Sequence, residues 1–208
     1  MLTQLIKQFK IAFLLLCIMT LITGVIYPGV MTGIAQLLFP WQANGSLIKL
    51  QGQFIGSRLI GQAFDDPAYF WGRPSATTPF PYNASSSAGS NISLTNPDFL
   101  SAVKNRIVLL KQSDKDNQQL IPIDLVTTSA SGLDPDISPE AAFYQAPRIA
   151  KIHQLPPEKI IAIINQYTQH RWLNLLGEPR VNVLQMNIAL YQLSLSNKNR
   201  NSHERKSS

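Results

Sequence analysis

Residues 11–26 read IAFLLLCIMTLITGVI, and no charged residue occurs between Lys10 and Lys49. About 20 apolar residues cross a bilayer as a helix, so the run predicts a membrane anchor, set here at residues 11–39. Such a helix would be about 43 Å long at ~1.5 Å per residue, against a hydrocarbon core of roughly 30 Å. It has to tilt, kink at Pro28, or project past the membrane. Lys7 and Lys10 precede the apolar run, and positive charge favours the cytoplasmic side; residues 1–10 are then inside and the following domain outside. A cleaved signal peptide has an apolar region of about 7–15 residues that ends at a small-x-small site. The longer run here is followed by no Ala-x-Ala sequence and reads as a retained single-pass anchor. Gly29 and Gly33 form a GxxxG pair, with Gly24 further up, and small residues let a partner helix approach closely. Ordinary glycine usage in membrane helices gives the same pattern, and both readings stay open.

Outward from the anchor, the length of 208 residues leaves room for one modest domain. The formal charge is +6, but six of the 18 basic residues and one of the 12 acidic ones lie in the two ends, leaving 12 against 11 between them. A near-neutral domain lacks the concentrated basic face that nucleic acid requires. Cys17 is the single cysteine, so no disulfide forms within the chain and no cysteine cluster binds a metal.

Residues 40–46 open on Pro40 and Trp41, an indole placed where membrane interfaces favour one, and form a linker to a domain over residues 47–193. Within it, residues 53–64 (QFIGSRLIGQAF) predict a hairpin or two short strands. Residues 72–97 are rich in Pro, Ser, Asn and Gly and predict a long irregular stretch. Asn96 and Pro97 then open a helix with one buried stripe at Leu100, Val103, Ile107 and Leu110. Residues 119–127 (QLIPIDLVT) read as β, residues 131–138 as a loop, and Ser138 with Pro139 starts a second helix. Pro157 and Glu158 open a third, with Ile160, Ile161, Ile164 and Tyr167 on one face, and residues 183–193 form a last helix after Asn182. Strands early and helices late predict an α+β domain, and the polar residues 194–208 a disordered tail.

The small residues of 82–91 (YNASSSAGSN) invite comparison with phosphate-cradling loops. The lysine of a P-loop is missing, which favours a packed turn. Asp134 and Asp136 offer oxygen ligands for a hard cation, but a calcium loop needs more carboxylates and a glycine in register, so turn and capping duty is the better reading. His153, His170 and His203 have no metal-ligand spacing, and two S-x-x-K hits, at Ser46 and Ser101, lack a companion K-T-G segment. No self-contained active site emerges. A stand-alone membrane-anchored envelope binding protein or enzyme would need one.

Several of these segments together resemble a known family, the C subunit (KdpC) of the Kdp-type potassium-transporting ATPase. The resemblance runs through residues 23–28 (TGVIYP), Phe39-Pro40, residues 44–46 (NGS), residues 69–71 (YFW) with 73–76 (RPSA), and residues 81–83 (PYN) with 89–91 (GSN). It continues through residues 124–127 (DLVT), 131–135 (SGLDP), 137–139 (ISP), Tyr144-Gln145, residues 147–150 (PRIA) and 177–184 (GEPRVNVL), with Asn187 and Leu190. Tyr191, where an acidic residue is expected, and the tail depart from the pattern. The resemblance implies a non-catalytic accessory subunit in a bacterial inner membrane complex. There a channel-like subunit would select potassium and a P-type ATPase subunit would hydrolyse ATP, so potassium and ATP would be used by the complex, with no cofactor assigned to this chain. Partners would be those two subunits and membrane lipid. The family's C subunit is described as an assembly factor and as a catalytic chaperone that raises ATP affinity, in part through the Ser-rich segment with Ser85, Ser86, Ser87 and Gly89. Arg73, Asn83, Asp134, Arg148, Glu178 and Arg180 are candidate interface or loop-organising residues.

Overall fold

The computed structural model describes the backbone of residues 1–207 and the side chains of residues 1–197. The chain divides into two units, Met1–Phe54 and Ile55–Ser208.

The first unit is built on a 37-residue helical run, Leu2–Leu38, none of it buried within the chain. At ~1.5 Å per residue it is about 56 Å long, nearly twice the hydrocarbon thickness. The helix begins well before residue 11, because Leu2, Leu5, Ile6 and Phe9 extend the apolar surface toward the terminus. Helix α1 (Leu2–Leu21) passes through a π-helical turn (Ile22–Ile26) into α2 (Tyr27–Leu38). Pro28 explains the irregularity: it has no N–H to give and its ring crowds the carbonyl four residues back, at Gly24, so the wider turn falls just before it. Phe39 leaves the helix at φ −135° and ψ 54°, as the residue before Pro40 is pushed to do. A short turn of helix, α3 (Pro40–Ala43), follows, and the Trp41 indole donates to the Leu47 carbonyl at 2.9 Å.

Strands β1 (Leu47–Leu50) and β2 (Gln53–Ser57) form a hairpin one strand earlier than the sequence predicts. The cause is the two-residue turn Gln51-Gly52, both at positive φ (51° and 83°), the geometry that matches strand twist. Residues 59–64, expected to be its second strand, are irregular.

The second unit carries α4 (Pro97–Ser113), α5 (Pro139–His153), α6 (Pro157–Tyr167) and α7 (Val183–Ser207). An antiparallel sheet of order β3-β5-β4 joins β3 (Asp136–Ile137), β4 (Thr168–Gln169) and β5 (Arg180–Asn182). The α+β expectation holds. The Asn96 side chain accepts from the Asp98 amide and Ser138 from the Ala141 amide, each followed by a proline at the first helical position. Ile149, Ile160, Ile164, Val181, Met186 and Leu190 are buried at the centre, and Phe70 and Leu125 plug the core from outside the long helices and the sheet.

Four segments differ from what the sequence predicts. On α4 the expected stripe is fully buried only at Leu110, with Val103 and Ile107 half-buried and Leu100 exposed. Residues 119–127 hold a 3₁₀ turn (Ile123–Leu125) in place of a strand, since Pro122 removes a ladder donor. On α6 the buried face is Ile160, Ile163 and Ile164; Ile161 points outward. Helix α7 runs beyond Leu193 into the stretch expected to be disordered, because elongation of a formed helix adds one hydrogen bond per residue fixed.

Candidate functional site

Between β2 and α4 the chain has no helix or strand, yet this segment is fastened to the helical core by buried polar side chains. Gln145 on α5 accepts from the Trp71 amide (2.8 Å) and donates to the Trp71 carbonyl (3.1 Å). Asn187 on α7 does the same for Phe70, at 2.8 and 3.0 Å. Two primary amides thus replace a neighbouring strand for two successive residues, and no backbone polar group at this point is left unpaired.

Arg148, one turn along α5 from Gln145, donates to the carbonyls of Pro67 and Tyr69 and to Gln145 Oε1, and lies 4.6 Å from the Trp71 ring centre. Burial pushes its guanidinium down to about 10, the nearby Asp114 and Asp66 opposing that shift. His153 Nε2 sits 2.8 Å from the Ala68 carbonyl. Asn182, at the end of β5, donates to the Arg58 carbonyl and to Asp136, both at 3.0 Å.

A second layer locks the Ser-rich segment. Ser75 Oγ donates to the Gly132 carbonyl (2.7 Å) and accepts from the Tyr82 amide (2.9 Å), and the Tyr82 hydroxyl donates to the Arg73 carbonyl at 2.6 Å. Burial pushes the Tyr82 phenol up to about 12, so it stays a neutral donor. Asn83 donates to the Thr78 carbonyl (2.8 Å) and accepts from the Ser85 amide (3.1 Å). The Ser86 amide donates to the Asn83 carbonyl, and the Ser131 carbonyl accepts from the Ala88 amide and Ser87 Oγ. Three amides a phosphate cradle would need, those of Ser85, Ser86 and Ala88, are already committed, so this is a packed turn. At Gly89 a Cβ would meet the Ala130 carbonyl oxygen at 2.7 Å, and Gly132, at φ 67°, would meet that of Ala88 at 2.6 Å.

Of the charged candidates, Arg73, Asp134, Glu178 and Arg180 line an open cleft of about 540 Å³ in which two arginines and two carboxylates pair off. Arg73 pairs with Asp134 (3.2 Å) and also donates to the Thr128 carbonyl, while Arg180 pairs with Asp136 at 3.0 Å. Burial pushes the Asp136 carboxyl up, against the Asn182 hydrogen bond and the Arg180 charge. Glu178 also lines the cleft but turns to the exposed Arg171 at 2.7 Å. Among the described residues no group of three or more His, Cys, Asp or Glu is placed to hold a metal ion. In the first unit, a Cβ at Gly29 or Gly33 would meet nothing within 4 Å, and one at Gly24 only Thr20 at 3.9 Å.

The structure brings Arg73, Asn83, Ser87, Gly89, Asp134 and Arg148 into this fastening, leaves Ser85 and Ser86 to contribute backbone, and sets Glu178 apart. The resemblance covered Gln145, Asn182 and Asn187 but gave them no role. A signal exists for Gln145, a primary amide in the otherwise apolar stretch from Ala141 to Pro147.

A family model described as K+-transporting ATPase, c chain, matches residues 9–192. A protein of Methylococcus capsulatus, described as potassium-transporting ATPase KdpC subunit, is 55% identical over 185 residues, covering 89% of this chain and 97% of its own. One from Polaromonas naphthalenivorans with the same description is 58% identical over 179 residues, covering 86% of this chain and 91% of its own. Another from Dechloromonas aromatica is 57% identical over 180 residues, covering 86% and 94%.

Proposed function

Because the chain belongs to the KdpC family, the c chains of K+-transporting ATPases, we propose that it is a non-catalytic accessory subunit that assembles and stabilises a potassium import complex. Its partners in this reading are a channel-like subunit and a P-type ATPase subunit, which use potassium and ATP respectively, with lipid around the anchor. The anchor lies in the bacterial inner membrane with the N-terminus cytoplasmic and the domain outside, as the lysines before the apolar run favour. Gly24, Gly29 and Gly33 then offer a partner helix a close approach.

The observation that carries this reading is the use made of four buried amide and guanidinium side chains. Gln145, Arg148, Asn182 and Asn187 all hold backbone of the irregular segment in place. Loops fixed in this way present a preorganised surface, which binds a large partner at lower entropic cost than a mobile one. An effect on ATP affinity is the finer part of the proposal. ATP is cytoplasmic and the domain external, so such coupling would pass through membrane helices and would need an element with two arrangements.

The test is affinity purification of the tagged full chain from mildly solubilised native membranes. Recovery of a P-type ATPase and a channel-like subunit in equal amounts is the expected result; recovery of the chain alone, while other complexes survive, overturns it. The ATP KM of the complex with and without this chain then decides the finer part.

A further inference from the structure

We propose that the groove between α4 and the irregular segments holding Ile92 and Val126 receives an apolar segment carrying one carboxylate, contributed by another subunit of the same ATPase. This rests on the membership in an ATPase complex argued above and adds the surface and the chemistry of the contact.

The groove encloses about 340 Å³. Phe99, Val103 and Leu109 of α4 form one wall, and Ile92 and Val126 face them. At ~30 Å³ per water, the space equals about ten water volumes, enough for a few aliphatic side chains and too small for a folded domain. Leu109, 44% exposed, carries the apolar wall out to the rim. Helix α4 buries one residue of 17, and its groove face lacks a covering partner among the described residues.

Charge selects the occupant. Arg106 is the single charged residue lining the groove, and among the described residues its guanidinium makes no hydrogen bond and no ion pair. The Tyr82 hydroxyl, its electrostatic neighbour, is neutral and already donates to the Arg73 carbonyl. Burial pushes the Arg106 guanidinium down, with Tyr82 opposing that shift, so the charge is partly desolvated. An apolar wall with one unpaired, partly desolvated cation matches apolar side chains plus one Asp or Glu, and rejects a cationic or wholly apolar segment. The turn holding Trp172, Leu173, Leu175 and Leu176 is more exposed, but its flanking Arg171 and Glu178 pair with each other, so nothing there selects a partner.

The experiment places a photo-reactive residue at Ile92 or Leu109 of the full chain, co-expressed with the other ATPase subunits in native membranes, and identifies the cross-linked peptide by mass spectrometry. The expected product is one segment of another subunit that joins apolar residues to an Asp or Glu. Arg106→Glu should lower the yield about tenfold, Arg106→Lys should retain most of it, and changing the partner's acid to Arg should restore it in the Arg106→Glu background. Rescue also shows that the Arg106→Glu chain folds. Cross-links to lipid alone, to this chain alone, or at unchanged yield in Arg106→Glu overturn the proposal. If they are absent while the subunits still co-purify, the groove assignment fails and the accessory reading stands; loss of co-purification in the wild type would sink that reading itself.

Discussion

Gln145 and Asn187 lie on different helices, yet each closes the same two-bond ring, Gln145 on Trp71 and Asn187 on its neighbour Phe70. The donor and acceptor of each amide are both used, so removing either side chain strands a buried N–H and a buried C=O together. Each stranded group costs about 1–3 kcal/mol. Asn187→Leu and Gln145→Leu should therefore each destabilise the full chain by about 2–4 kcal/mol, read from denaturant midpoints in detergent. Because the held residues are adjacent, the double variant should depart from additivity by more than about 0.5 kcal/mol. Strict additivity would mean that the two clamps hold the segment independently.

The segments around Gly89 and Gly132 approach each other closely. Gly132 has φ 67° and no room for a Cβ before the Ala88 carbonyl, and Gly89 faces Ala130 in the same way. Gly132→Ala meets both a backbone and a steric penalty, Gly89→Ala a steric one alone. The first should cost about 2–3 kcal/mol and the second less. Limited proteolysis should cut near residues 84–92 faster in both variants; unchanged cleavage would show that the segments are not held by this contact.

These two sets of residues mark what was legible in the sequence. The starts of α4, α5 and α6 could be read at Asn96-Pro97, Ser138-Pro139 and Pro157 because capping is local and leaves its residues side by side. The sheet could not be read: its strands are two or three residues long, and Asp136 pairs with Asn182 across the whole of α5 and α6. The clamps join residues 74 and 117 positions apart, a separation at which no periodicity carries information. Arg73 and Asp134 could be named as candidates, but that they face each other follows only from the fold.

The pH dependence turns on Asp136. Burial raises its folded-state carboxyl above the ordinary 3.8, so the folded protein holds the proton to a higher pH than the unfolded chain does. The stability this group contributes is fully present below 3.8 and is lost as pH rises through the raised folded value. Asp136→Asn should remove that fall while keeping a partner for Asn182. Denaturant midpoints measured across the acid range should show a smaller decline for Asp136→Asn than for the wild type. Parallel profiles would mean that the Arg180 and Asn182 contacts outweigh burial.

Arg148 separates charge from geometry. Its fork reaches the Pro67 and Tyr69 carbonyls and Gln145 at once while the guanidinium plane covers Trp71. Lysine keeps the charge but, as a single ammonium on a flexible stem, cannot reproduce a planar fork. If the charge mattered most, Arg148→Lys would be nearly neutral and Arg148→Met severe. The geometry argues otherwise: Arg148→Lys should lose about 2–4 kcal/mol, since it leaves a buried carbonyl unpaired and keeps a desolvated charge. Trp71 supplies a local readout, provided Trp41 and Trp172 are replaced by Phe to isolate its signal. Its emission should shift in Arg148→Lys under native conditions, before any unfolding. An unshifted spectrum with wild-type stability would show that the ammonium reaches the same carbonyls and that the fork is not what holds the segment.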